Sequence, residues 1–201
     1  MSASPHESTS GEIGAEQNVA GEIAPARVVA ERMISSNERI LFGVAAVALL
    51  FDQLLKWWIR GALETGDEMP LIPGLVHLSH IKNHGAAWGM FAGQRWLLIG
   101  VSVVVVGALL FSARQIARGG ALVACAMGLI FGGAVGNLID RCVSGAVTDM
   151  IDMDTPLSLI RTFPVFNIAD SALTIGVILL IWHSFFGPGE KKSTLDLRSS
   201  D

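Results

Sequence analysis

Five aspartates lie in or beside the long apolar stretches of this 201-residue chain: Asp52, Asp140, Asp149, Asp152 and Asp170. An ionisable side chain in hydrocarbon is costly and marks a functional site by default. Asp149 follows Gly145-Ala146-Val147-Thr148, a stretch able to run extended. Asp170 opens an apolar run three residues after Asn167. One loop joins the outer ends of the two apolar segments that flank these acids, so both carboxylates can converge near one membrane surface. Two close carboxylates do not readily both ionise, and one keeps a proton. That arrangement suits general acid–base activation of water against an amide. Spacing alone leaves two unrelated interfacial acids as the plainer reading.

Other polar residues fall into structural patterns. Asp52 and Lys56 stand four apart on one helical face, acid first, the favourable order for an ion pair. They read as a structural pair about 18 Å along the helix from Ile40, past the midplane. The run Gly132-Gly133-Ala134-Val135-Gly136-Asn137 permits close helix approach. It is no phosphate loop, since neither a Lys-Ser/Thr nor a preceding strand accompanies it. Asn137 and Asp140 share a face, and Asp140 beside Arg141 at a helix end reads as a brace. His77, His80 and His84 read as surface histidines, because no carboxylate motif suited to a metal accompanies them. Asp149, Asp152 and Asp154 lack the glycine and terminal glutamate of a calcium loop. Cys142 has no visible base partner and is not read as a nucleophile.

The elements that must position these residues are apolar helices. Hydrophobic residues make up 51% of the chain and charged ones only 16%, against about 25% charged in soluble domains. The mean hydropathy is +0.53. Two cysteines exclude a disulfide scaffold, and a net charge of −4 argues against nucleic acid as a partner. Four segments, Ile40–Ile59, Trp96–Ala113, Ala121–Ile139 and Ile168–Phe186, approach the roughly 20 residues needed to cross a bilayer. Asp52 and Lys56 so soon after the first, with no small-residue cleavage site, argue against a removable signal peptide. Residues 1–37, rich in Ser, Glu, Ala and Gly, read as a disordered tail. Residues 38–187 form the membrane domain and 188–201 a short polar end.

Loop charges give an orientation. Arg27, Arg32, Arg39, Arg114, Arg118, Lys191, Lys192 and Arg198 fall on one side, and Arg60, Lys82, Arg95, Arg141 and Arg161 on the other. The richer side is cytoplasmic, which places both termini there. In the outward loops, Leu75–Ile81 suggests a short strand or hairpin on the membrane surface. The second loop has room for one short helix.

Four blocks, in order, carry a resemblance over Ile40 to Phe186. They are Asp52-Gln53-Leu54-Leu55-Lys56, then Asn83-His84-Gly85-Ala86-Ala87-Trp88-Gly89, then Gly132 through Arg141 continuing over Gly145-Ala146-Val147-Thr148-Asp149, and last Phe166-Asn167-Ile168-Ala169-Asp170. Together they resemble the lipoprotein signal peptidase (signal peptidase II) family, aspartic peptidases of bacterial inner membranes. The resemblance implies an all-α membrane fold with four transmembrane helices, a small extracytoplasmic β-cradle and a short extracytoplasmic helix. It implies an intramembrane aspartic endopeptidase that removes signal peptides from diacylglyceryl-modified prolipoproteins, cutting on the amino side of the lipidated cysteine. The family's catalytic pair maps onto Asp149 and Asp170. Its residues around the substrate map onto Asn83, Gly85, Asn137, Arg141 and Asn167, and its bracing positions onto Asp52, Lys56 and Asp140. No metal or organic cofactor is implied. The expected partners are lipidated prolipoproteins, as substrates, and membrane phospholipid; the protein is expected to be a monomer in the inner membrane with its active site near the extracytoplasmic face. Three departures stand out: Trp88 where Phe is common, Met150 after Asp149, and a long Asp149–Asp170 connection carrying Asp152 and Asp154.

Two other classes fit the composition. A proton-coupled transporter using Asp52, Asp170 and His183 predicts acids near the midplane and repeated halves, and no repeat is visible. A non-catalytic scaffold has no need of an asparagine beside each of two acids.

Overall fold

The computed structural model describes residues 34–86, 89–155 and 162–187. Four helices in it are long and apolar enough to cross a membrane: α1 (Ser36–Ala62), α2 (Arg95–Ala117), α3 (Ala121–Val143) and α4 (Ile168–Phe186). A three-stranded antiparallel sheet interleaves with them, from β1 (Glu68–Ile72), β2 (Val76–Asn83) and β3 (Val147–Asp152), in the order β1-β2-β3. The expected tail 1–37 lies mostly outside the described residues. Its end does not, since α1 already starts at Ser36. The reason is a capping box: Ser35 Oγ accepts the Glu38 N–H and Glu38 accepts the Ser35 N–H. The helix is 27 residues long, about 40 Å, so it overshoots the hydrocarbon core.

Helix α3 is central, packing on each of α1, α2 and α4. Its buried residues are nearly all small: Ala124, Ala126, Gly128, Gly132, Gly133 and Gly136, with Asn137 and Asp140 beyond them. A Cβ on Gly132 would lie 2.5 Å from the Ala45 carbonyl of α1, and one on Gly133 would lie 2.5 Å from the Ala169 carbonyl of α4. The glycines therefore set backbone-to-backbone approach on two sides of α3. Helix α2 buries only Ala113 and Ala117 and leaves Val104 and Phe111 exposed, as a lipid-facing helix does.

The sheet sits over the C-terminal end of α1, where Ile59, Leu78 and Met150 form a small core. Met150 is fully buried there, which accounts for an apolar residue at that place. The expected strand Leu75–Ile81 is β2, and β1 is an addition to that reading. Pro70 and Pro73 mark β1 as a loop by sequence, but Pro70 is tolerated because β1 is the sheet edge. Between Leu78 and Ile81 the pairing with β3 slips by one residue, a β-bulge that sets Ile81 opposite Asp149. The connection to α4 is less loop than its sequence suggests. Asp152 belongs to β3, opposite His77, and Phe166 exchanges backbone hydrogen bonds with Ile151. The second loop, in which one short helix is expected, has residues 156–161 outside the described residues, as is Trp88.

Candidate active site

Asp149 sits mid-strand in β3, and Asp170 sits in the first turn of α4. Phe166 delivers the chain from β3 to the start of α4, so Asn167 lies between the two acids. As N-cap, Asn167 uses Oδ1 to accept the Asp170 N–H at 2.9 Å, while Asp170 Oδ2 accepts the Asn167 N–H at 3.3 Å. The other end of that amide is thereby committed: Nδ2 donates to Asp149 Oδ1 at 2.6 Å.

Two further amides are oriented by the same logic, since an amide has one accepting and one donating end. Asn83 Oδ1 accepts the Gly85 N–H at 2.9 Å, which turns its Nδ2 onto Asp149 Oδ2 at 2.9 Å. Asn137 Oδ1 accepts from Lys56 Nζ at 3.0 Å, which turns its Nδ2 onto Asp170 Oδ1 at 2.8 Å. Three asparagines from three elements thus present only donors to the two carboxylates. Burial is the main force on Asp149 and pushes its carboxyl up to about 6, with the Asp170 charge adding to it; Asn83, Asn167 and Lys56 pull the other way.

Both acids line one cleft of about 470 Å³. Its polar wall holds Asn83, Asn137 and Arg141, and its apolar wall includes Val101 and Val105 of α2, Phe163, and Leu173 of α4. Arg141 donates to the Gly85 carbonyl at 3.1 Å, fixing the chain beyond β2 against the end of α3. Gly85 has no room for a side chain, because a Cβ would lie 2.7 Å from the Met90 carbonyl. Asn83, Gly85, Asn137, Arg141 and Asn167 are therefore gathered around the two acids.

Behind the cleft Lys56, Asp52 and Asp140 form a buried set of charges, with the more exposed Arg60 at its edge. Lys56 Nζ lies 2.9 Å from Asp52 Oδ2 and 3.0 Å from Asp140 Oδ2, and Arg60 lies 3.3 Å from Asp140 Oδ1. The expected Asp52–Lys56 pair is present and gains Asp140 as a third member. Asp140 is a brace, but to α1 and not to its neighbour Arg141, whose guanidinium turns toward the cleft. Sequence reasoning passed over Gln53, which donates to Asp52 and to the Gly136 carbonyl. It also passed over Arg60, four residues beyond Lys56 on the same helical face, a spacing that pointed to it. Arg95 was likewise unassigned; it donates to the Arg141 and Cys142 carbonyls and ties α2 to the end of α3.

The remaining acids and histidines stand apart. Asp152 pairs across the sheet with His77, away from the cleft lining. His80 is buried, unlike the expected surface residue, with Nδ1 on the Leu63 carbonyl at 2.9 Å. Among the described residues, no three His, Cys, Asp or Glu side chains gather as a metal site.

A four-helix membrane domain that turns two carboxylates into one cleft has the layout of a membrane-embedded aspartic peptidase. The family described as signal peptidase (SPase) II matches residues 44–186. Similar curated proteins include the lipoprotein signal peptidase of Geobacillus kaustophilus, 40% identical over 147 residues, covering 72% of this chain and 92% of that protein. That of Bacillus subtilis is 35% identical over 153 residues, covering 76% and 97%. A solved bacterial membrane enzyme obtained by the in meso method superposes with a TM-score of 0.69 at 35% identity, covering 76% of this chain and 92% of that one. The chain belongs to the signal peptidase II family. It is a multi-pass membrane protein and an aspartic endopeptidase that removes signal peptides from prolipoproteins.

Proposed function

We propose that Asp149 and Asp170 are the catalytic pair and that the substrate's scissile bond lies in the cleft they share. The observation that carries this is the donor cage: three asparagine amides aim N–H groups at just these two carboxylates. Two carboxylates that face one cleft do not readily both ionise, so the pair shares one proton. One acid, ionised, draws a proton from water as it attacks the carbonyl carbon. The other, protonated, polarises the carbonyl oxygen and then delivers a proton to the leaving amine. An Asp149 carboxyl near 6 exchanges protons readily close to neutral pH. Asn83, Asn137 and Arg141 hold the peptide backbone, and no metal or cofactor takes part.

The signal peptide lies along the apolar wall, and the diacylglyceryl chains of the lipidated cysteine lie against the lipid-facing helices. Cleavage falls on the amino side of that cysteine. The enzyme works as a monomer among membrane phospholipids, with residues 1–37 and 188–201 as cytoplasmic tails and the sheet and cleft at the extracytoplasmic face. Reporter fusions should therefore place Ala117 and Glu190 in the cytoplasm, and Gly66 and Asp154 outside. A cytoplasmic signal at Asp154 would put the cleft on the wrong side for a translocated substrate.

The lipid tests the substrate. The acyl chains already lie in hydrocarbon, so their contribution is anchoring: they hold the scissile bond at the cleft, and remote binding of this kind fixes reacting geometry. A displacement of about an ångström from that geometry costs about a hundredfold in rate. A precursor with its lipobox Cys replaced by Ser should thus be cleaved at least about a hundredfold more slowly in matched initial-rate assays. Equal rates for the two precursors would remove lipid from the recognition.

A further inference from the structure

We propose that Lys56 is a positioning residue that sets the distance between the two catalytic aspartates. This rests on the assignment of Asp149 and Asp170 as the catalytic pair. Each of those acids is preceded by a residue whose backbone N–H is held by a buried carboxylate. The Ala169 N–H, just before Asp170, donates to Asp52 Oδ1 at 2.9 Å. The Thr148 N–H, just before Asp149, donates to Asp140 Oδ2 at 3.1 Å. Asp52 therefore carries the start of α4, and Asp140 carries β3.

Lys56 joins the two carriers. Its Nζ reaches Asp52 Oδ2 at 2.9 Å, Asp140 Oδ2 at 3.0 Å and Asn137 Oδ1 at 3.0 Å. An ammonium has three N–H donors and no acceptor, so three donors meet three acceptors. The side chain is wholly buried, as are those of its carboxylate partners. The third bond orients Asn137 toward Asp170. Arg60 supports the β3 side by donating to Asp140 and Thr148 Oγ1. A salt bridge kept only for stability is replaceable by apolar groups of similar volume. Lys56 instead links both catalytic backbones through a single atom, and displacement of reacting groups by about an ångström costs on the order of a hundredfold in rate.

The test is Lys56→Met combined with Asp52→Asn and Asp140→Asn. Each asparagine keeps an oxygen for the Ala169 or Thr148 N–H, methionine fills the lysine stem, and no unpaired carboxylate is left buried. The two new amide N–H₂ groups and Asn137 Oδ1 lose Lys56 as a partner, so the variant melts below wild type. The inference predicts that it still folds, with KM unchanged and kcat lower by about a hundredfold. A folded triple variant with kcat within about twofold of wild type, or with only KM raised, overturns it. Should the triple variant not fold, the single Asp52→Asn variant decides. It keeps the Ala169 acceptor but opposes Lys56 with an amide N–H₂. A kcat lowered by about tenfold or more at unchanged KM supports the joint, and wild-type kcat overturns it. Asp170→Asn is measured in parallel: if that variant cleaves at the wild-type rate, the catalytic assignment itself fails, whatever Lys56 does.

Discussion

Asp149→Asn and Asp170→Asn are each expected to lower the cleavage of a lipidated prolipoprotein by about a thousandfold or more. Asparagine matches aspartate in size but neither takes nor gives a proton, so the loss falls on proton transfer to and from the reacting groups. In the folded enzyme each carboxylate oxygen of Asp149 accepts an amide N–H, one from Asn83 and one from Asn167. An asparagine at 149 has one accepting end, so one of those amides faces another N–H₂. The fold loses at most a hydrogen bond or two, about 1–3 kcal/mol, and stays intact. Initial rates in detergent micelles, with a thermal melt of each variant, check both parts. Wild-type activity in either variant contradicts the aspartic mechanism at these positions.

Gly133→Val carries the next largest effect. A Cβ at Gly133 would lie 2.5 Å from the Ala169 carbonyl and 3.0 Å from Leu173 Cγ. The Ala169 carbonyl has little freedom to move, because Ala169 is itself held by Asp52 and neighbours Asp170. The two helices must part, and the bonds from Asn137 to Asp170 and from Ala169 to Asp52 lengthen together. Overpacking of this kind costs about 1–3 kcal/mol, and an ångström of separation at the acids costs about a hundredfold in rate. Gly107→Val on α2, where nothing lies within 4 Å of the added Cβ, is the control and is expected to melt and cleave like wild type. Comparable loss in the two variants would show that helix content, and not the α3–α4 approach, sets the effect.

Much of this site is legible from local pattern. The four spans follow from length and polarity, and Asp52 with Lys56 follows from helical spacing. The dense small residues of α3 announce close packing without saying against what. Spacing could not settle whether Asp149 and Asp170 meet, because that depends on Phe166 pairing with Ile151, a contact with no local signal. The same holds for Asp140. Its neighbour in sequence is Arg141, yet its partners are Lys56 and Arg60, some 80 residues earlier. On a helix, adjacent residues point about 100° apart, so adjacency misled where the i to i+4 step from Lys56 to Arg60 was informative. β1 was missed because Pro70 breaks a strand pattern, and only the sheet order shows that it stands at the edge. His80 went unrecognised as buried because its partner is a backbone carbonyl, which sequence does not display.

The most direct measurement of the central claim compares kcat for Asp149→Asn, Asp170→Asn and the double variant on one lipidated prolipoprotein. Two acids that act as one unit lose their joint function when either is removed, so the effects are far from additive. The account predicts that each single variant falls by about a thousandfold or more and that the double variant is no slower than the slower single one. A single variant at wild-type rate, or single losses that multiply in the double variant, would contradict it.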